Sequence, residues 1–214
     1  MINSRILPVL LAAVCLLFAG CLPESINPLS TPATSAIDQR FEGVYQEVDK
    51  DKDAKNRSTF WHFHYRGASD TAKGVRRITT WLEIAGVSHE PKGGLDIGRY
   101  KALATKIAGQ DYLSFIGLPE DGAKKTPATY SFARYEVTWR GDLRVWLANE
   151  SAFVAAVKAG NLRGKVTGGP FGQSVTLTDT TAHLAAFIAA GDSHKLFDDD
   201  PMIFRRLSSA NARP

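Results

Sequence analysis

The sequence predicts a mostly-β fold of the α+β class: an antiparallel meander forming a barrel or half-barrel, with two short helices near the C-terminus. From about residue 41 onward, short segments rich in aromatic and β-branched residues alternate with charged or glycine-containing turns, which is typical of antiparallel strands. Gly109-Gln110 and Arg140-Gly141-Asp142 each join two such segments closely enough for a hairpin. No β-α-β rhythm is present, and curling an antiparallel sheet into a barrel hides its edges.

The strand pattern recurs along the body of the chain. It covers residues 41–48, 59–66, 75–85, 99–108, 111–118, 128–139, 142–148, a piece at 162–167 with 175–178, and 202–207. Two helices interrupt its later part. Ser151 is the expected N-cap of a helix over 152–159 that Gly160 ends, and Asp179 or Thr180 is expected to cap a second helix that ends at Gly191. We expect the apolar face of the second helix to cover an open end or face of the sheet.

Length and composition predict one domain with an ordinary core. The chain has 214 residues, of which 44% are hydrophobic and 22% charged. We expect a single β-rich domain over 41–207 and a C-terminal tail over 208–214. The formal net charge of +4 is spread along the chain without a basic block, which argues against a nucleic-acid partner.

The N-terminus has the pattern of an export signal. One positive charge, Arg5, precedes an apolar run over 6–18 that only Pro8 interrupts. That run is shorter than the roughly 20 apolar residues a membrane-spanning helix needs, so residues 1–20 are predicted to be a signal peptide. Small residues, Ala19 and Gly20, then lead directly into Cys21.

The stretch Leu16-Leu17-Phe18-Ala19-Gly20-Cys21 resembles the lipobox of bacterial lipoproteins. The resemblance implies cleavage between Gly20 and Cys21, a diacylglyceryl group on the Cys21 sulfur, and a lipid-anchored protein of the bacterial cell envelope. The alternative is a conventional secretory signal with a chance cysteine. The other cysteine, Cys15, lies inside the signal, so the mature chain would hold neither a disulfide framework nor a cysteine nucleophile.

The residues after Cys21 bear on the final location. In the enterobacterial sorting rule an Asp after the lipidated cysteine favours retention in the inner membrane, whereas this chain has Leu22. The expected location is therefore the outer membrane, facing the periplasm. Residues 21–40 are rich in Pro, Ser, Thr and Asn, and this composition predicts an extended tether.

A second resemblance concerns the two ends of the body. Gly43-Val44-Tyr45 in the first strand resembles the Gly-x-Trp of lipocalins and other calycins, with Tyr where that family has Trp. Arg205 or Arg206 in the last strand is similar to the arginine that packs across that motif. The resemblance implies a calycin-like barrel with a ligand cavity.

His62-Phe63-His64 is the stretch most suggestive of metal chemistry. Residues two apart on a strand face the same way, so these imidazoles are placed to share a metal ion, with His89 as a third ligand. The alternative is an ordinary strand with a polar outer face that carries both histidines and Arg66. The core-facing residues are then Trp61, Phe63 and Tyr65.

Other motifs do not select a reaction. The run over 49–53 lacks the glycine and glutamate of a calcium loop, and the glycine-rich stretches lack the Lys-Ser or Lys-Thr of a phosphate loop. No catalytic residue and no cofactor is assigned. Trp81 and Glu83 share one strand face, and with Trp146 they are the expected ligand-binding residues at an open barrel mouth.

The sequence therefore favours a non-enzymatic envelope lipoprotein that binds a small amphipathic ligand or another envelope protein. One alternative is a metal-dependent envelope enzyme that uses His62, His64 and His89. The other is a purely structural envelope protein with no ligand.

Overall fold

The computed structural model describes residues 22–48, 59–70, 75–89, 94–119, 128–169 and 172–209. The predicted signal peptide, Cys21 and the charged run at 49–53 lie outside the described residues. The β-strands are β1 (Glu24–Ser25), β2 (Gly43–Glu47), β3 (Phe60–Asp70), β4 (Val75–His89), β5 (Leu95–Ile107), β6 (Gln110–Gly117), β7 (Ser131–Val137), β8 (Leu143–Leu147), β9 (Gly164–Gly169), β10 (Gly172–Leu177) and β11 (Met202–Ser209). The helices are α1 (Glu150–Lys158), α2 (Thr181–Ala190) and α3 (Ser193–Leu196), and a 3₁₀ turn spans Gln39–Phe41.

Eight strands form a closed antiparallel barrel, as the sequence predicts. Strands β2 to β8 pair in chain order, and β11 closes the barrel by pairing with β8 on one side and β2 on the other. The predicted pair of short strands, β9 and β10, form a hairpin outside the barrel in a second sheet, to which β1 adds in parallel.

The helix ends agree with the sequence except at one cap. Thr180 caps α2, since its side chain accepts from the His183 N–H, and Gly191 follows the helix as expected. The cap of α1 is Asn149 rather than Ser151, because the Asn149 side-chain oxygen accepts from the Ala152 N–H at 3.3 Å. The four-residue helix α3 was not among the expected elements.

Two apolar cores lie on opposite faces of the barrel wall. The inner core lies inside the barrel. It consists of Phe41, Tyr45, Phe63, Tyr65, Leu82, Ile84, Ala102, Ala104, Leu113, Ala133, Tyr135, Leu143, Val145 and Phe204. The outer core lies outside the wall and joins β6–β8 to α1, α2, α3 and the small sheet. It includes Phe132, Trp146, Phe153, Leu177, Leu184, Ile188 and Phe197. Both faces of β7 are therefore buried at Phe132 and Ala133, and both faces of β8 at Val145 and Trp146, where apolar residues are consecutive. Nearer the turn between these strands, Glu136 and Arg144 are exposed.

Residues 22–42 lie against the barrel instead of extending from it as a tether. Leu29 is only 2% exposed, and its N–H donates to the Ser114 hydroxyl at 2.9 Å. Further along, the Ser30 and Thr105 hydroxyls lie 2.5 Å apart, and the Ala36 N–H donates to the Ala104 carbonyl. We call residues 22–42 the strap. Hydroxyls on the outer face of β5 and β6 bond to the strap at Leu29 and Ser30, and these two strap residues are buried although residues 31–40 stay mostly exposed.

Candidate functional site: the barrel interior

The barrel is closed at one end by the 3₁₀ turn that precedes β2. Phe41, at the end of that turn, is fully buried and lies with its ring centroid 4.5 Å from that of Tyr135 and 5.8 Å from that of Phe63. The Tyr45 hydroxyl donates to the Arg40 carbonyl at 3.1 Å, which holds the turn beneath the barrel. We call this the closed end.

Charged and phenolic groups fix the closed end. The Tyr135 hydroxyl donates to Asp38 at 2.9 Å, and Arg40 donates to both carboxylate oxygens of Asp38, at 2.8 and 2.6 Å. Burial opposes ionisation of Asp38, but the hydrogen bonds from Arg40 and Tyr135 together hold its pKa below the usual value. Burial raises the pKa of Tyr65 to about 12, and that hydroxyl accepts from the Asp38 N–H. Near neutral pH Asp38 is therefore ionised and Tyr65 neutral. We call Asp38, Arg40, Tyr65 and Tyr135 the plug, because they fix the turn that closes the barrel.

The first and last barrel strands meet beside the plug through Tyr45 and Arg206. The guanidinium of Arg206 lies over the Tyr45 ring and donates to the Glu42 carbonyl. Of the two arginines that the sequence analysis named, Arg206 makes this contact, whereas Arg205 is exposed.

The opposite end of the barrel opens into an apolar cavity of about 270 Å³. Its walls are inward-facing residues of β3 to β8 and β11, with Leu22 of the strap at its mouth. The lining consists of Leu22, Trp61, Phe63, Ile84, Tyr100, Leu113, Phe115, Ala133, Val145, Leu147, Met202 and Phe204. We call this end the open end and this space the barrel cavity.

Trp61 lines the barrel cavity and is held in place at its edge and on one face. Its indole N–H donates to the Glu47 carboxylate at 3.0 Å, and its ring meets that of Phe204 edge-on at 5.8 Å. The ring lies flat against Gly86, where a Cβ would come within 2.8 Å of it. The indole is thus held by a polar contact at its edge while its face stays available to the cavity.

The chemistry of the barrel cavity is that of an apolar binding site. Its described lining residues include no carboxylate, imidazole, thiol or lysine side chain. Its volume is slightly below the roughly 300–1,000 Å³ typical of small-molecule sites. The space therefore suits one slender apolar group, such as a hydrocarbon chain, and offers nothing to a charged ligand below the mouth.

The expected ligand residues do not line this cavity. Trp81 and Glu83 occupy outward-facing positions of β4, and Glu83 lies 3.9 Å from Arg66 on the outer face. Trp146 belongs to the outer core, 8% exposed, with the Arg134 guanidinium 3.9 Å above its ring. The structure neither brings these three residues together nor places them inside the barrel.

The histidines lie on the outer face of the barrel, with both side chains exposed. The rings of His62 and His64 are nearly parallel, with centroids 5.9 Å apart, and His64 Nδ1 lies 3.8 Å from Glu42. His62 pairs with Ala85, which places His89 four residues further along β4, roughly 13 Å away by backbone spacing. In the described part of the chain, no three side chains of His, Cys, Asp or Glu gather as metal ligands do. The register therefore does not assemble the three-histidine site that was the alternative to an ordinary polar strand face.

The cavity residues that sequence reasoning missed do carry a signal. Gly86, Gly98 and Gly117 occupy inward positions of three successive strands, and Gly86 pairs with Gly98 while Tyr100 pairs with Gly117. Inward positions without side chains, beside large aromatic rings, leave space at one end of a barrel. The alternation of each strand shows that these glycines face inward, but only the register shows that they are neighbours.

Comparisons with known proteins gave no relative: neither the protein-family models nor the curated proteins nor the solved structures contain a significant match to this chain. Over the described residues, the helices are all too short or too polar to cross a membrane. The structure itself therefore defines the class of fold: an eight-stranded antiparallel barrel with a plugged closed end and an apolar cavity at its open end.

Proposed function

We propose that this chain is a lipid-anchored protein of the bacterial outer membrane, facing the periplasm, whose barrel binds a single hydrocarbon chain of the fatty-acyl class. The observation that carries the binding proposal is the barrel cavity, which the described residues line with apolar and aromatic side chains. The anchor rests on the lipobox-like stretch ending at Cys21, outside the described residues. The contact of Arg206 with Tyr45, which a likeness to lipocalins and other calycins implies, supports the same interpretation.

The energetics favour a chain over a compact polar ligand. Burial of a methylene group contributes about 0.8 kcal/mol, so about eight methylenes contribute about 6 kcal/mol before the cost of immobilising the ligand. That sum corresponds to a dissociation constant of tens of micromolar or weaker, roughly, which suits reversible binding. A ligand carboxylate or phosphate would stay at the mouth, because burial of an unpaired charge in the apolar lining is costly.

A cavity-filling variant tests the binding site. Ala133 is 1% exposed and lines the barrel cavity from β7, so Ala133→Phe places a ring in the empty space. Titration with a fluorescent fatty acid is expected to show saturable binding to the wild type and at least tenfold weaker binding to Ala133→Phe. The melting temperature of the variant should stay equal or rise, since filling a void adds contacts. Ala186→Phe, on the exposed face of α2, is the control that keeps wild-type binding.

The outcomes separate the competing functions. Absence of saturable probe binding to the folded wild type overturns the carrier function and leaves a structural or protein-binding module. Equal binding by wild type and Ala133→Phe places the probe elsewhere on the surface and overturns the assigned site. The anchor is tested separately, because Cys21→Ser should abolish incorporation of labelled palmitate and signal cleavage at Gly20.

A further inference from the structure

The outer face of β3, β4 and β5 is layered along the barrel. Nearest the open end, Phe60 pairs with Val87 and Val87 pairs with Ile97, which forms an apolar row across three strands. Phe60 is 37% exposed and Ile97 54% exposed, and Leu95, further out on β5, is 58% exposed. We call Phe60, Val87, Leu95 and Ile97 the apolar rim. Strand pairing places these apolar side chains next to one another, as in the surface patches through which proteins contact partners or membranes.

Basic groups lie directly behind the apolar rim. The next row joins His62, Ala85 and Arg99, and the row after that joins His64, Glu83 and Lys101. Together with Arg66, whose side chain is 74% exposed, these residues border a groove of about 400 Å³. Glu83 is the one carboxylate among the described groove residues. We call His62, His64, Arg66, Arg99 and Lys101 the basic band.

The apolar rim and the predicted anchor share the same end of the barrel. Leu22 lies at the mouth of the barrel cavity, and it is joined by one peptide bond to Cys21. Because the strap is bonded along the barrel wall rather than free, a lipid on Cys21 keeps the open end close to the bilayer. The closed end, with the 88% exposed Trp139, then points away.

We propose that the apolar rim and the basic band are a membrane-docking surface for a bilayer that contains anionic phospholipids, a proposal that rests on the lipid anchor of the proposed function. Successive rows are two residues apart, which is about 7 Å along a strand. A segment lying in a membrane interface buries its apolar side by about 5–10 Å, so the basic band meets the phosphate layer when the apolar rim is inserted. The order of layers on the barrel is thus the order of layers in a membrane surface.

Docking in this orientation places the mouth of the barrel cavity at the lipid surface. A hydrocarbon chain can then pass between bilayer and cavity with little exposure to water, which a barrel held away from the membrane would not allow. The docking surface therefore selects a membrane lipid as the source of the chain.

Single-cysteine labelling of the lipidated full-length protein tests the orientation. Lipidation consumes the Cys21 thiol and cleavage removes Cys15, so Ile97→Cys on the apolar rim or Trp139→Cys at the closed end would carry the only free thiol. Each is labelled with a polarity-sensitive fluorophore and reconstituted into vesicles of phosphatidylcholine, with or without phosphatidylglycerol. The expected result is a blue shift at position 97 that requires phosphatidylglycerol and disappears at high salt, with no shift at position 139.

Charge-reversed variants test the basic band. Arg99→Glu with Lys101→Glu should abolish the shift at position 97. If this charge reversal impairs folding, the neutral pair Arg99→Gln with Lys101→Gln takes its place and should reduce the shift. The matched control is Arg140→Glu with Arg144→Glu, which makes the same charge change at exposed closed-end positions and should leave the shift intact.

Several results would overturn the docking surface. These are an aqueous signal at position 97 on anionic vesicles, an equal shift at both labelled positions, or a shift on phosphatidylcholine alone that the charge variants do not change. If mass spectrometry finds Cys21 unmodified, the anchor of the proposed function fails instead, and the extra thiol reports this before any vesicle measurement. The fatty-acid titration is independent of both.

Discussion

The guanidinium carbon of Arg206 lies 5.6 Å from the centroid of the Tyr45 ring. This contact joins the last barrel strand to the first, where closure of the barrel depends on residues about 160 positions apart in sequence. The backbone N–H of Arg206 also donates to the Asp142 carboxylate at 3.0 Å, so the same residue reaches the β7–β8 turn. Arg206 thus connects three elements at the closed end.

Removal of this side chain should destabilise the barrel. Arg206→Ala loses the cation–π contact and the hydrogen bond to the Glu42 carbonyl, and we expect a loss of about 1–3 kcal/mol in the free energy of unfolding. Urea denaturation measures it. The control is Arg205→Ala, the neighbouring exposed arginine, which should change stability by less than about 0.5 kcal/mol. Equal losses in the two variants would contradict a specific role for the Tyr45 contact.

Asp38 should make the closed end sensitive to acid. Its side chain is 11% exposed, and hydrogen bonds from Arg40 and Tyr135 hold its folded-state pKa below the usual value of 3.8 despite burial. A depressed folded pKa stabilises the fold at pH above the unfolded pKa, and this contribution is lost as the pH falls through the lower folded value. The wild type should therefore lose stability on acidification below about pH 4.

Asp38→Asn isolates that contribution. The variant should be less stable than the wild type at neutral pH. The difference should shrink as the pH falls from the usual carboxyl pKa towards the lower folded value, since the unfolded wild-type chain binds the proton first. Urea midpoints across the acid range measure this convergence. Gln39→Ala, at an exposed and non-titrating position of the same 3₁₀ turn, should show a difference that stays constant with pH. A gap for Asp38→Asn that stays constant with pH would contradict the assignment.

The alternation of the strands was predictable, because it is a local property of the chain. The sequence places Trp61, Phe63 and Tyr65 on one face of β3 and the histidines on the other, and the barrel confirms this. Which face of a strand is inside was not predictable for β7 and β8, since helices cover their outer face. Trp146 consequently lies in the outer core, although its residue type suits a cavity wall equally well.

The strap was missed for a related reason. Its composition is that of a solvated linker, and its contacts join residues 75 and 85 positions apart, so no local pattern announces them. The barrel cavity depends likewise on three inward glycines in three strands, which become neighbours only through the register. The local sequence pattern predicts the secondary-structure elements, whereas the barrel cavity and the position of the strap depend on contacts between residues distant in sequence.

The strap contact at Ser114 can be tested by removing one hydroxyl. Ser114→Ala leaves the buried N–H of Leu29 without its acceptor, which should cost about 1–3 kcal/mol in the free energy of unfolding. Hydrogen exchange at the Leu29 amide should accelerate markedly in Ser114→Ala, because the substitution removes the acceptor of its hydrogen bond. If the segment were a tether, this amide would exchange rapidly in the wild type as well. Ser35→Ala, in the same strap, removes only a 3.4 Å contact to the Pro32 carbonyl and should have little effect. Rapid exchange of the Leu29 amide in the wild type would contradict the strap contact and indicate that this segment is a tether.

The fit of Trp61 against Gly86 controls the shape of the barrel cavity. A Cβ at Gly86 would lie 2.8–2.9 Å from three atoms of the Trp61 ring, so Gly86→Ala must displace that ring. The Glu47 carboxylate holds the indole N–H at 3.0 Å, which leaves rotation of the ring into the cavity as the available movement. We expect a shift in tryptophan emission, a stability loss of about 1–3 kcal/mol and severalfold weaker binding of a fluorescent fatty acid.

Gly117→Ala is the matched control for this substitution. A Cβ at Gly117 would meet the Tyr100 ring at 3.9 Å, an ordinary contact, although this glycine also faces inward at the open end. Emission, stability and probe affinity should therefore stay near their wild-type values. If Gly117→Ala weakens probe binding as much as Gly86→Ala does, the response reflects any added bulk at the open end. If Gly86→Ala shifts the emission but leaves affinity unchanged, the probe does not contact Trp61, and its hydrocarbon chain binds nearer the opposite wall, at Ala133 of β7 and Phe115 of β6.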